Sequence, residues 1–214
     1  MACPHKFHDY LNLRKGYLNP ALNELDFEPT TLIVGTFNPS WPENNKAEWF
    51  YGRTRNNYLW DVLPRLYNAN NLRKSKPQDW RQFCFTNKIA LTDLITSIED
   101  ADQSNEEHQD VLATYLDTSI ADYFSKFTFT PITEILEKYN SITAVYLTRQ
   151  KGVELFDKEW EKVEKFKRNL HVRDLLTPSA SARFQIRDYK MANPNDKTPL
   201  RNFIYQSWKE QWHF

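Results

Sequence analysis

The sequence predicts an α/β fold: a three-layer sandwich with a central, mostly parallel four-stranded sheet flanked by helices. Three observations predict it. Four strand-sized apolar runs recur along the 214 residues. Helical patterns separate them, and an alternation of strand and helix builds a parallel sheet covered on both faces. The composition, 40% hydrophobic with fourteen Phe, eleven Tyr and seven Trp, is enough to fill one sizeable core, and the length favours a single domain over residues 1–214.

In chain order, Thr31, Leu32, Ile33 and Val34 form the first run, a short β-rich stretch that reads as a buried strand. Gly35, one of only four glycines, follows directly, so a tight turn is expected at the strand's carboxyl end. An aromatic loop around Gly52 leads into a helical pattern over 58–67. The second strand is expected within 88–95, followed by an acidic, amide-rich stretch at 99–110 that reads as a solvated loop. Helices are expected over 120–127 and over 131–139, the latter opening on Pro131. The third strand falls within 141–147, a helix at 152–166, the fourth strand within 171–176, and a last helix at 200–212.

Bulk properties exclude several function classes. Twenty-eight basic residues balance twenty-eight acidic ones, so any polyanion site must come from local clustering rather than from a global field. Cys3 and Cys84 are the only cysteines, which rules out a disulfide framework and a four-cysteine metal site within one chain, and suits a reducing, cytoplasmic setting. No run approaches the roughly 18 apolar residues of a membrane span, and the first residues hold no signal-like stretch. The expectation is a soluble monomer with no membrane partner. Of five histidines only His5 and His8 approach a ligand spacing, at a terminus expected to be mobile, so no metal or other cofactor is assigned. A lone glycine at 35, without a second two residues later, argues against a dinucleotide site.

In parallel sheets the ligand crevice lies outside the carboxyl ends of the strands. That rule directs attention to 35–40, 92–97, 148–151 and 177–183. The first offers a glycine turn, the amide of Asn38 and the rigid Pro39. A neutral amide hardly accepts a proton, so chemistry resting on Asn38 must use leaving-group stabilisation and water positioning; the alternative is that Asn38 caps the next helix. The loop 49–60 interleaves Trp49, Phe50, Tyr51, Tyr58 and Trp60 with Arg53, Arg55, Asn56 and Asn57. This composition suits a flipped base, with a ring to stack on, amides to read an edge and arginines for flanking phosphates; the alternative is an aromatic core with a solvated basic rim. Thr177, Pro178, Ser179 and Ser181, followed by Arg183, put small hydroxyl residues and free amides where an anion could sit. Asp93 is read first as an internal hydrogen-bond acceptor and second as a pocket residue.

Together and in order, these segments resemble the uracil-DNA glycosylase superfamily, most closely its hypoxanthine (deoxyinosine) glycosylase-like branch. The likeness spans about residues 31 to 210. Thr31 to Ser40 resembles the strand, glycine and Asn-Pro of the first motif, with one more residue between Gly35 and Asn38 than the mismatch-specific form. Phe50, Tyr51 and Gly52 with Asn56 and Tyr58 resemble the aromatic loop of the deoxyinosine branch, with Arg53-Thr54 in place of His-Pro. Pro178, Ser179 and Ser181 carry the likeness to the second motif, where Thr177 stands in place of a histidine.

The resemblance implies a monofunctional DNA glycosylase acting in base-excision repair on DNA that contains a deaminated base, whether hypoxanthine, uracil or xanthine. It implies that Asn38 positions the attacking water and that Gly35, Thr36, Phe37 and Thr92 line the base pocket. Phe50 or Tyr51 would stack on the extruded base and Asn56 would shape the pocket. Arg53, Arg55, Pro178, Ser179, Ser181 and Arg183 would hold DNA. It requires no metal. The alternative is a catalytically silent nucleic-acid-binding member of the same fold; a more remote one is an enzyme acting on another nucleobase or nucleoside.

Overall fold

A computed structural model describes residues 2–7, 27–166 and 169–213. Its centre is a parallel sheet of β2 (Thr31–Gly35), β3 (Ile89–Asp93), β6 (Ala144–Leu147) and β7 (His171–Asp174), in the order β3-β2-β6-β7. Three of the strands fall within the runs expected, while β2 carries the first run one residue further, through Gly35, which was expected in the turn; every pairing between the four is parallel.

The two-sided core follows from the period-two geometry of a strand. Leu32 and Val34 of β2, Ala90 of β3, and Val145 and Leu147 of β6 face one layer. Ile33, Leu91, Ala144 and Tyr146 face the other. The first layer is closed by α5 (Ile132–Lys138), through Ile135 and Leu136, and by α6 (Glu154–Glu164), through Phe156 and Trp160. The second is closed by α1 (Leu59–Leu66), α2 (Pro77–Thr86) and α7 (Pro199–Gln211), whose Trp60, Trp80 and Trp208 are buried there. This is the three-layer α/β arrangement the sequence predicts.

Local chemistry explains the details. Pro64 inside α1 has no N–H to give the Trp60 carbonyl, and that carbonyl instead accepts the Leu72 N–H at 2.7 Å, which folds the following turn back on the helix. Pro77 occupies the first turn of α2, and the Asp79 side chain accepts the Lys76 N–H at 3.0 Å.

Three expectations need correction. The run at 88–95 breaks at Leu94, and β4 (Ile95–Ile98) leaves for a second, antiparallel sheet, ordered β1-β4-β5, with β1 (Cys3–Pro4) and β5 (Phe127–Phe129). The stretch read as a solvated loop ends in α3 (Glu106–Thr114), because the Asn105 side chain caps it by accepting the Glu107 N–H at 2.9 Å and Leu112 anchors it in the core. The helix expected at 120–127 is α4 (Asp117–Tyr123), which stops where β5 pairs with β4. No helix among the described residues is long and apolar enough to cross a membrane.

The small sheet matters for the site. Cys3 pairs with Ile98 and Pro4 with Ser97. The chain then continues beside the first strand-end loop: the His5 N–H donates to Thr96 O at 2.8 Å, and the Lys6 N–H donates to Asn38 O at 2.7 Å. The first residues are thereby laid over the turn that follows β2.

Candidate active site

A cleft of about 460 Å³ opens at the carboxyl ends of the parallel strands. Its floor starts at Gly35, in register with Asp93 across β2 and β3. The backbone there has no room for a side chain: a Cβ on Gly35 would lie 2.1 Å from Asp93 Oδ1 and 2.8 Å from the Tyr51 hydroxyl. Glycine is therefore the residue that lets carboxylate and phenol approach the strand end together.

Asp93 is 8% exposed, and its Oδ2 lies 2.6 Å from Nε2 of His5, itself 1% exposed. The Phe7 N–H donates to His5 Nδ1 at 3.1 Å, so the imidazole proton resides on Nε2 and points at the carboxylate. The ring stacks on Phe50 at 5.6 Å and packs against Phe7 and Phe37.

Asn38 also lines the cleft. Asn45 is fixed by the Ala47 N–H on its Oδ1 and by the Pro39 carbonyl on its Nδ2, and this Nδ2 also donates to Asn38 Oδ1 at 2.7 Å. Asn38 Nδ2 donates to no described residue, so the amide's uncommitted end is its donor. Tyr51 carries the aromatic loop into the cleft, with its hydroxyl 3.0 Å from Thr148 Oγ1. Burial first, then the nearby Asp93 and Asp117, holds its phenol well above the ordinary 10, so it stays protonated. Tyr51 and Tyr115, both in the lining, have left-handed backbones with φ of 55°. Such strain, about 1 to 3 kcal/mol per residue, collects at functional sites.

The opposite wall is ionic. Arg149 is buried between Asp117, at 3.1 Å, and Asp157, at 2.9 Å. Thr36 Oγ1 donates to Asp117 at 2.8 Å. Burial outweighs the Arg149 charge and raises the Asp117 carboxyl above the usual 3.8. The Arg53 guanidinium lies 3.3 Å above the Tyr115 ring, where burial lowers its pKa and the ring faces its charge. The rim is made by the 177–185 segment, tied to the aromatic loop where Tyr58 N–H donates to Pro178 O at 2.6 Å and Ala180 N–H to Asn56 O at 2.9 Å. Ser179 Oγ is occupied in shaping this loop, accepting from Ser181 N–H at 3.2 Å.

The structure thus brings to one cleft Gly35, Thr36, Phe37, Asn38, Tyr51 and Arg53, and with them Pro178, Ser179 and Ser181. It does not bring the others. Phe50 is buried in the core, where it backs His5 rather than facing the cleft. Thr92 is fully buried, one residue short of the strand end that Asp93 occupies. Asn56 and Arg55 are exposed outside the lining, with Asn57 lining the cleft instead. Arg183 is exposed and lies over the neighbouring Phe184 ring at 4.9 Å.

Sequence reasoning missed His5, Tyr115 and Asp117, and ranked Asp93 chiefly as internal. The strand-end rule did flag the 148–151 segment that holds Thr148 and Arg149. Nothing local marks Asp117 or His5, whose roles depend on the packing of distant segments. Neither cysteine is a nucleophile: burial pushes Cys3 to about 11 and Cys84 to about 12. Among the described residues no group of three His, Cys, Asp or Glu side chains is placed to hold a metal ion.

The fold and cleft define an α/β protein with a polar, carboxylate-floored pocket at its strand ends. A solution NMR structure of a candidate uracil DNA glycosylase from Methanosarcina acetivorans superposes on 88% of this chain and 94% of its own at a TM-score of 0.49 and 12% identity. No family model and no curated protein matches the chain. The functional reading accordingly rests on the cleft.

Proposed function

We propose that this chain is a monofunctional DNA glycosylase, hydrolysing the N-glycosidic bond of hypoxanthine, uracil or xanthine in DNA during base-excision repair, as a monomer in the cytoplasm. The observation that carries this reading is the convergence of three remote segments, around Asn38, Tyr51 and Ser179, on one cleft at the strand ends. Its volume of about 460 Å³ falls within the range of about 300–1,000 Å³ usual for small-ligand pockets.

The chemistry suits a reaction through an oxocarbenium-like sugar. The Asp93 carboxylate at the floor supplies a field that favours developing positive charge, and the Asn38 amide offers a donor to an oxygen of the departing base. Tyr51 supplies a neutral ring for stacking. Phe184, 77% exposed at the rim, is an apolar wedge for the gap left by an extruded nucleotide, with Arg55 and Arg183 for phosphates. Such hydrolysis calls for no metal or other cofactor.

The test is a panel of single- and double-stranded oligonucleotides containing deoxyinosine, deoxyuridine or deoxyxanthosine. Conversion of at least one to an alkali-labile product is expected, with Asn38→Ala slowing it by about 100- to 1,000-fold, the usual cost of one transition-state donor. Tight binding without cleavage across the panel refutes the enzymatic reading and returns the protein to a silent nucleic-acid-binding role.

A further inference from the structure

Asn38 leaves the reaction without a proton acceptor. Its Oδ1 is held by Asn45, and an amide is in any case too weak a base. Asp93 lies at the end of the neighbouring strand. One of its oxygens, Oδ2, takes the proton-bearing Nε2 of a buried, neutral His5. The other, Oδ1, receives no hydrogen bond from any described residue, and it is not among the polar atoms sealed from solvent without a partner. It lies against Gly35, where any side chain would displace it. A carboxylate anchored at one oxygen and open at the other, on a cleft floor, is oriented to accept a proton without an entropic cost at the moment of reaction. The ionisable groups facing it are His5 from the first residues, Tyr51 and Arg53 from the aromatic loop, and Asp117 from α4.

We propose that Asp93 is the proton acceptor of this hydrolysis and that His5 is the residue that positions it. The proposal rests on the glycosylase reading above. As the bond from C1′ to the base nitrogen breaks, its electron pair leaves with the base, and the water oxygen bonds to C1′ while a water proton passes to Asp93 Oδ1. That proton then goes to the released base or to solvent, which regenerates the carboxylate and yields the free base and an abasic sugar.

The experiment measures single-turnover cleavage of the substrate found in the panel, with thermal melts of each variant. Asp93→Asn still offers an oxygen to His5 but has no charge; its rate is expected to fall about 100- to 10,000-fold, the usual share of a general base. Asp93→Ala opens space at the floor, and sodium formate is expected to restore about tenfold or more of its rate, because a free carboxylate takes over the proton. His5→Gln retains an N–H for Asp93 and is expected to keep most of the rate, whereas His5→Leu falls towards Asp93→Asn with substrate affinity unchanged. If neither Asp93 variant folds, the His5 pair decides.

An Asp93→Asn rate within about threefold of wild type, a lack of formate response, or equal losses in the two His5 variants overturns the proposal. Wild-type protein that cleaves nothing removes the glycosylase reading and this proposal with it. Active Asp93→Asn beside active wild type removes this proposal alone.

Discussion

Replacing Gly35 by alanine tests the geometry on which the site depends. The new Cβ would meet Asp93 Oδ1 at 2.1 Å, Asp93 Cγ at 3.1 Å and the Tyr51 hydroxyl at 2.8 Å. Ordinary contact begins near 3.4 Å, so the carboxylate must retreat by about an ångström. It is not free to do so, because Oδ2 is held by His5 at 2.6 Å, and the Tyr51 hydroxyl is bound to Thr148 at 3.0 Å. The variant therefore either overpacks the floor or breaks the His5 contact, and either course costs about 1 to 3 kcal/mol. For a domain of this size that is a fall in Tm of about 2 to 12 °C. The assay is a double-mutant cycle by thermal or urea unfolding with Asp93→Ala, which removes both Asp93 atoms nearest the new Cβ. Gly35→Ala should cost about 1 kcal/mol or more less in that background than in the wild type. Additive effects within about 0.5 kcal/mol would refute the claim that Gly35 is required by the Asp93 carboxylate.

Three further outcomes are expected. Burial raises the Asp117 carboxyl above 3.8, so the folded state holds that proton to higher pH than the unfolded chain, and the group's effect on stability worsens as pH rises from 3.8 through the folded value. Asp117→Asn should therefore gain stability relative to wild type as pH rises above 3.8; a Tm difference that stays constant with pH contradicts the assignment. Tyr51→Ala removes the stacking ring and should weaken cleavage by roughly 1 to 3 kcal/mol, and an unchanged rate would place the ring outside the base's path. Phe184→Ala removes an exposed ring, so Tm should hold within about 1 °C while cleavage of duplex substrate falls more than that of single-stranded substrate; equal loss on both would show that the ring is no wedge.

β2, β3 and β6 were legible because they are short, largely apolar runs, a pattern that two covered faces impose whatever the surrounding topology, whereas β7 is a half-exposed edge strand, His-Val-Arg-Asp, marked mainly by the buried Leu175 and Leu176 that follow it. The positions of Gly35, Asn38 and the 177–181 loop were legible because strand ends fix where a crevice lies, and Tyr51 because its loop interleaves aromatic, amide and basic residues. Thr92 and Asp93 show the limit. Both are polar neighbours near the end of β3, and successive side chains of a strand point to opposite faces. Which one reaches the cleft depends on the register that pairs Thr92 with Val34 and Asp93 with Gly35, a property of two strands rather than of one.

By itself, then, the sequence determined the layered α/β architecture and the loops that gather at one end of the sheet, because apolar periodicity and turn residues act locally. Tertiary structure alone decided how the cleft is charged. His5 reaches Asp93 across 88 positions, because β1, a two-residue strand too short to announce itself by pattern, pairs with β4. Arg149 is neutralised between Asp117 and Asp157, and Asn38 is turned by Asn45. The cost of leaving a buried charge or amide unpaired sets each of these contacts, and the partner that removes that cost is chosen by proximity in the folded chain.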